Sequence, residues 1–238
     1  MADSANNNHI DNDWDDIIQI TDRFLVTNVA LKADGKIIYG DLNECYYFWE
    51  DEEYEIYDSW LSDVDMWSNI IEIDSTAYEW SRILAGVDSD GVVHSAMAKD
   101  YINTYIDFQY MDKAKAFMDG LSNVKRIRIN CETNEQGTVL YIYVSALDDH
   151  GNMHIYTPQK EETIETDGVK DFWVSPEGIT YVVDKDNKLR NIQNNKAIIE
   201  GVLYVNEGFC VTQSGTIYDV CGNSLDRKTI VKDVWLER

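Results

Sequence analysis

The chain is short of cysteine, histidine, positive charge and long apolar runs, and each shortage closes off a class of explanation. Four cysteines in 238 residues (Cys45, Cys131, Cys210 and Cys221) are too few and too irregular for a disulfide framework, and no Cys-x-x-Cys pair marks zinc. This usage fits a reducing, cytoplasmic compartment, with Cys210 and Cys221, which flank a Ser214-Gly215 turn, expected as two packed thiols, the alternative being a single bridge between them. Of the four histidines, His9 lies in a polar tail and His94 follows a turn. His150 and His154 have a metal-like spacing, but Gly151 puts them on a hairpin rather than a helix, so no metal is assigned. There is no G-x-S-x-G elbow and no glycine-rich phosphate loop, so the chain is read as a non-enzyme without a cofactor. Nothing approaches about 18 uninterrupted apolar residues, which excludes a membrane-spanning helix. The opening MADSANNNHIDNDWDD lacks the basic and apolar regions of a secretory signal. Only 20 Lys and Arg stand against 44 Asp and Glu, a net charge of −24. Such a field repels nucleic acid and anionic membranes and speeds encounter with basic proteins.

What the chain has is a repeat. Residues 67–96 open on Trp67, run through Ile70, Ile71 and Ile73, continue through Ile83, Leu84 and Val87, turn at Asp90-Gly91 and resume at Val92-Val93. An Asp-Gly between apolar runs signals a tight hairpin whose two central residues tolerate positive φ. The same grammar runs from Trp14 through Ile17, Ile18 and Ile20 to Asp34-Gly35, and again from Leu121 to the Asp148–Gly151 turn. The openings at 14, 67 and 121 lie 53 and 54 residues apart. A period of about 50 with several strands per unit predicts a propeller or a related array. Shorter units follow from Gly168 and from Gly201, which makes five hairpin-bearing units. The expected fold is all-β: a tail at 1–12, then one domain at 13–238 forming a small propeller of about five antiparallel sheets. Excursions are expected at 41–66 and 97–120, the second holding a helix at 111–119 with Gly120 as its cap. Residues 230–236 echo 169–174 as an opening strand, so either this strand completes the first blade and closes the ring, bringing Trp235 against the first repeat, or the units form an open arc.

The pattern W-x-[DN]-I-I-x-I, a gap, then an apolar residue and A-[LV]-x-x-D-G-x-[IV] resembles the regulator-of-chromosome-condensation type of repeat. The match covers residues 14–40 and 67–96 and loosens from Leu121 onward. The resemblance implies a β-propeller and a scaffold that binds other proteins. The family's nucleotide-exchange activity belongs to loops that have no counterpart assigned here.

The candidate binding site is the first excursion, where Trp49, Glu50, Asp51, Glu52, Glu53, Tyr54, Glu55, Tyr57, Asp58 and Trp60 interleave aromatics with carboxylates. Aromatics give rigid contact area and the acids meet Lys and Arg. Carboxylates on such a scaffold also imitate a phosphate backbone. The expected function is therefore a non-catalytic inhibitor or adaptor docking on a basic protein such as a nucleic-acid enzyme, of the phage anti-defence (anti-CRISPR) or immunity type. The alternatives are carbohydrate or cell-surface recognition through exposed Trp and Tyr, and a glycosidase-like enzyme, which needs a central acidic funnel. Residues 11–22 place carboxylates at positions 1, 3, 5 and 12 of a calcium loop, but Asp16 stands where the loop needs Gly. Lys113, Lys115, Lys125, Arg126 and Arg128 are the one basic concentration and are read as internal salt-bridge partners rather than a nucleic-acid site.

Overall fold

The computed structural model describes residues 15–21, 29–39, 61–78, 81–98, 109–133 and 139–225. They form five antiparallel sheets, each a simple meander. The first holds β1 (Ile17–Thr21), β2 (Val29–Lys32) and β3 (Ile37–Tyr39), and the second β4 (Ile70–Tyr78), β5 (Ser81–Asp88) and β6 (Val93–Ala98). The third holds β7 (Val124–Thr133), β8 (Val139–Asp148), β9 (Asn152–Thr157) and β10 (Lys160–Glu165). The fourth holds β11 (Asp171–Val174), β12 (Thr180–Val183), β13 (Lys188–Asn191) and β14 (Lys196–Glu200), and the fifth β15 (Val202–Asn206), β16 (Phe209–Thr212), β17 (Ile217–Asp219) and β18 (Ser224–Leu225). The first strand of each sheet packs against the first strand of the next, so the sheets are the blades of a five-bladed propeller.

Each core lies between two blades. Val29 and Leu31 of the first meet Ile73, Leu84 and Ala96 of the second. Ile83, Ala85 and Val87 of the second meet Ile127, Ile129 and Val144 of the third. Leu147, Met153 and Ile155 then meet Phe172 and Val182, and Trp173, Tyr181 and Val183 meet Val205 and Cys210. Burying one such side chain stabilises by roughly 1.5–3 kcal/mol. β2 and β12 are buried on both faces and so read as apolar runs rather than alternating ones. The expected helix is α2 (Gln109–Asp119), with Met111, Ala114 and Met118 in the core between the second and third blades. Gly120 ends it by donating to Ala116 O at 3.2 Å.

Three expectations change. Met97, placed in the second excursion by sequence, belongs to β6. The first excursion ends in a short helix, α1 (Leu61–Val64), whose Val64 is buried between the first and second blades. Cys210 is buried but Cys221 is an exposed free thiol, so the two are not packed partners. The calcium-loop positions 11–14 and 22, Trp14, residues 41–60 and the closing strand at 230–236 with Trp235 lie outside the described residues.

The repeat is anchored by one backbone device. Asp16, Asn69, Asn123, Gly168 and Gly201 begin the five blades with φ of 60, 56, 57, 76 and 74°. This left-handed conformation is tolerated by Asn, Asp and Gly and costs other residues more. The carbonyls of Asp16, Asn69, Asn123 and Gly201 accept from Ala33, Ser89, Asp149 and Gln213 in their own sheets' hairpins. The next residue reaches the preceding blade: Ile70 N–H donates to Gly35 O at 3.1 Å, Val124 to Gly91 O at 3.0 Å, and Val202 to Asn187 O at 2.8 Å. Trp67 and Leu121 each stand two residues before the left-handed Asn and pack on the core shared with the preceding blade, so those two positions are equivalent.

The Asp-Gly turns differ from the expected type in one respect. Only the glycine has positive φ, +82° at Gly35 and +78° at Gly91, so the loops are a type I turn followed by a left-handed residue. Glycine is required there twice over. A Cβ on Gly91 would stand 2.8 Å from Asn123 Cα, and one on Gly35 would stand 2.9 Å from Asn69 Cα.

A further feature repeats at the start of the inner strands. Ile70 and Ile73 share one core, as do Val124 and Ile127, and Val202 and Val205. Residues three apart on a regular strand face opposite ways, so one residue is inserted between them. The ladder register shifts at that point, between Ile17 and Gln19, Ile70 and Glu72, Val124 and Arg126, and Val202 and Tyr204. Ile20, whose counterparts Ile73, Ile127, Phe172 and Val205 are buried, is 57% exposed.

The turn-to-blade contact is separable from the backbone conformation by substitution. Gly91→Ala meets both a positive φ and the Asn123 backbone, whereas Gly215→Ala meets the same φ of +78° with nothing within 4 Å. Gly215→Ala should cost about 1–2 kcal/mol, and Gly91→Ala about 1–3 kcal/mol more, as read by denaturant unfolding. Equal losses would mean that the contact contributes nothing.

Candidate functional site: the inner-strand ion pairs and the hairpin carboxylates

The third residue after each left-handed position is Gln19, Glu72, Arg126, Asp171 or Tyr204. These five hold the same place on the five inner strands, and the middle three touch. Arg126 lies between two carboxylates, with Nη2 at 2.6 Å from Asp171 Oδ1 and Nε at 3.5 Å from Glu72 Oε2, and its Nη1 donates to Lys170 O at 2.9 Å. Arg128, two residues along, donates from Nη1 to Glu72 Oε1. Both guanidinium groups stack on Phe172, 5.4 and 5.6 Å from its centroid. Burial pushes the Glu72 carboxyl above its ordinary value against the pull of Arg128 and Arg126. Burial also works against the charge of Arg128, but Asp74 and Glu72 outweigh it and hold Arg128 above its ordinary value.

The remaining oxygens and amides reach across to neighbouring backbone. Asp74 Oδ2 accepts from Ile129 N–H at 2.7 Å, and Asp171 Oδ2 from Val205 N–H at 2.8 Å. The Gln19 amide forms both possible bonds with Ile73, accepting at 3.0 Å and donating at 2.5 Å. Thr21 meets Ser75, Asn130 Nδ2 donates to Val174 O at 2.9 Å, and Ser145 meets Thr180 at 2.8 Å. These groups join blade to blade where the apolar cores end, and pairing offsets the cost of burying them. Of the basic concentration, Arg126, Arg128 and Lys115 form ion pairs within the chain, while Lys125 and Lys113 make other contacts. Arg126 and Arg128 bind Glu72 and Asp171, Lys115 binds Asp119 at 3.0 Å, and Lys125 donates to Asp149 O at 3.3 Å. Lys113 lies over the Tyr110 ring at 5.9 Å.

A second set of carboxylates builds the hairpins. Asp88 Oδ1 accepts from the N–H groups of Asp90 and Val92, Asp148 from His150 and Asn152, and Asp184 from Asp186 and Lys188, all at 2.8–2.9 Å. The other oxygen holds the side chain six residues on: His94 at 2.9 Å, His154 at 3.0 Å and Arg190 at 2.6 Å. Two of the four histidines are thus turn fasteners. The signal for this was an Asp six residues ahead of each of these side chains, across a turn. Asp148, Asp149 and His150 bring donor atoms within 4.8 Å of one another. Asp148 is engaged by the hairpin donors, and His150 Nδ1 lies 2.5 Å from Asp149 Oδ1.

The sequence-predicted binding residues Trp49, Glu50, Asp51, Glu52, Glu53, Tyr54, Glu55, Tyr57, Asp58 and Trp60 lie outside the described residues. No family model, curated protein or solved structure matches the chain.

Two measurements test these assignments. Glu72 and Arg128 side chains are 13 and 16% exposed, so Arg128→Met should destabilise by about 3–5 kcal/mol, and the Glu72→Leu/Arg128→Met pair should recover part of that loss. A double variant no more stable than Arg128→Met would overturn the pairing. Burial alone would raise Asp148, but hydrogen bonds from the Asn152 side chain and backbone, His154 and His150 N–H carry it from 3.8 down to about 2. A depressed carboxylate stabilises the fold above its unfolded pKa and loses that contribution as pH falls through the folded value. Between about pH 5 and pH 2 the wild type should lose about 2 kcal/mol that Asp148→Asn does not. Parallel acid titrations of stability in the two proteins would contradict this.

Proposed function

We propose that the chain is a non-catalytic docking protein whose outward negative field engages a basic protein partner. The observation that carries this reading is how the charge is distributed. Of the cations, Arg126, Arg128 and Arg190 are turned inward onto Glu72, Asp171 and Asp184. Lys36, Lys115, Lys160, Lys185 and Lys188 each pair with a carboxylate of the same surface. With 44 acids against 20 bases, the field left for a partner is negative. The inner-strand carboxylates favour the same reading, since Glu72 and Asp171 bracket Arg126 instead of forming the open acidic funnel a glycosidase needs.

In its sharper form the partner is a nucleic-acid enzyme whose basic groove is occupied by the aromatic and acidic stretch at 49–60, with an inhibitory outcome of the anti-defence type. The repeat opening at Trp14 and Trp67 supports a scaffold of the regulator-of-chromosome-condensation type on which that stretch is carried. Affinity capture from the native host, followed by mass spectrometry, is the test. A basic partner should be retained at about 0.15 M salt and released at about 1 M, and its affinity should fall when Glu52, Glu53 and Glu55 are changed together to Gln. Capture indifferent to salt would overturn the electrostatic reading, and capture indifferent to the triple change would remove the 49–60 stretch from it.

A further inference from the structure

In the first, second, third and fifth blades the residue inserted at the start of the inner strand opposes no partner in the ladder, so pairing does not dictate its identity. In the third blade that residue is Lys125, and in the fourth, whose ladder carries no such shift, Lys170 stands at the same distance from the left-handed residue; both are exposed. In the first, second and fifth the residue is Ile18, Ile71 and Leu203, which are 59, 50 and 53% exposed. Large apolar side chains thus recur at a register position where two sister blades carry lysine. The inner strands are joined in sequence, Gln19 to Ile73, Arg126 to Glu72 and Asp171, and Asp171 to Val205, so the residues one step before Gln19, Glu72, Arg126, Asp171 and Tyr204 lie at the same end of the five strands. Met66 and Val92, also exposed, adjoin that end, Met66 next to Trp67 and Val92 after Gly91, which abuts Asn123.

The same end is rimmed by acids. Asp15 precedes the first left-handed residue, and Asp90, Asp149 and Asp186 sit in the hairpin turns that reach the inner-strand openings; all four are exposed. Lys125 and Lys170 are tied to Asp149 O and Asn187 Oδ1 within this surface. An apolar centre inside a charged rim is the anatomy of a protein-binding patch.

We infer that the end of the propeller at which the inner strands begin is a docking surface, with Ile18, Ile71 and Leu203 as its apolar contacts, for a basic protein segment presenting a large apolar residue flanked by Lys or Arg. This rests on the docking role proposed above and adds a described surface to it, distinct from the stretch at 49–60. The rim selects for positive charge, and the apolar centre supplies the affinity that salt does not screen.

The full-length chain and its Ile18→Ser/Ile71→Ser/Leu203→Ser variant, each immobilised, are to be probed with a phage-displayed library of random linear peptides. Both proteins should melt within a few degrees of each other, because the three side chains lie outside the cores. Ile71→Lys, which copies the residue of the third and fourth blades, is a second folded control and should repel the same peptides. The expected peptides combine Lys or Arg with a large apolar residue. They should bind the wild type at least about tenfold more tightly than either variant and weaken as salt rises from about 0.15 M to about 1 M. Basic, salt-sensitive peptides indifferent to the variants would overturn this surface and leave the acidic docking role standing. Uncharged peptides, or no enrichment, would overturn both. A wild-type dimer in sedimentation that the triple variant abolishes would assign the patch to a second copy of this chain and overturn the basic partner.

Discussion

The propeller depends on one contact, the seating of a hairpin turn against the left-handed residue that opens the next blade. Its hydrogen bonds, such as Val124 N–H to Gly91 O at 3.0 Å and Asp149 N–H to Asn123 O at 2.8 Å, tie one turn to the next turn's sheet through a single peptide group. The contact needs a left-handed backbone on one side and, at the Asp-Gly turns, a missing Cβ on the other, and these are conformational demands that few residue types meet. Once they are met, the angle between blades is set and the apolar faces come into register. The cores then follow from burial, which is strong but non-directional and would not by itself choose this arrangement.

Polar chemistry takes over where the apolar cores stop. The Gln19 amide, the Asp74 and Asp171 carboxylates and the Asn130 side chain all reach the inner strand of the following blade. Bonds of this kind contribute about 1 kcal/mol each, and leaving a buried partner unmet costs more, so they favour one register over its neighbours. The Glu72–Arg126–Asp171 run is the charged version of the same arrangement. Burial makes such pairs costly unless every group is met, and here Arg126, Arg128, Lys170 O and Val205 N–H meet them. Sequence alone put Arg126 and Arg128 in internal pairs on charge arithmetic. It could not name Glu72 or Asp171, because partners 54 and 45 residues away are brought together only by the stacking of blades.

What was legible in the chain was what repeats locally. The Asp-Gly turns at 34–35 and 90–91 and the openings at Trp67 and Leu121 marked hairpins and unit boundaries, and Met111 to Asp119 was readable as a helix. The left-handed residues at 16, 69, 123, 168 and 201 lie 53, 54, 45 and 33 residues apart, which explains why the repeat looked regular early and loose later. The inner strands keep the same device while the segments between them shrink. The inserted residue was invisible, since a stretch such as Ile70 to Ile73 reads as ordinary strand until the register shows Ile70 and Ile73 on one side. The hairpin role of His94 and His154 was missed for a related reason. The spacing between His150 and His154 points to metal binding, whereas the informative distance is six residues back, from His94 to Asp88 and from His154 to Asp148.

The separation between constrained and unconstrained positions is what allows one blade design to carry different surfaces. At the left-handed residue only Asp, Asn and Gly occur, and one step on only Ile and Val, because conformation and core decide there. At the inserted residue Ile, Lys and Leu all occur, since a side chain that opposes no partner in the ladder neither strengthens nor weakens the sheet by much. Composition at such a place reports something other than folding. Apolar surface exposed there is a solubility cost that the packing does not require. A chain that holds its net charge at −24 and still leaves Ile18, Ile71 and Leu203 in water at one register has the composition of a contact surface rather than of a blade.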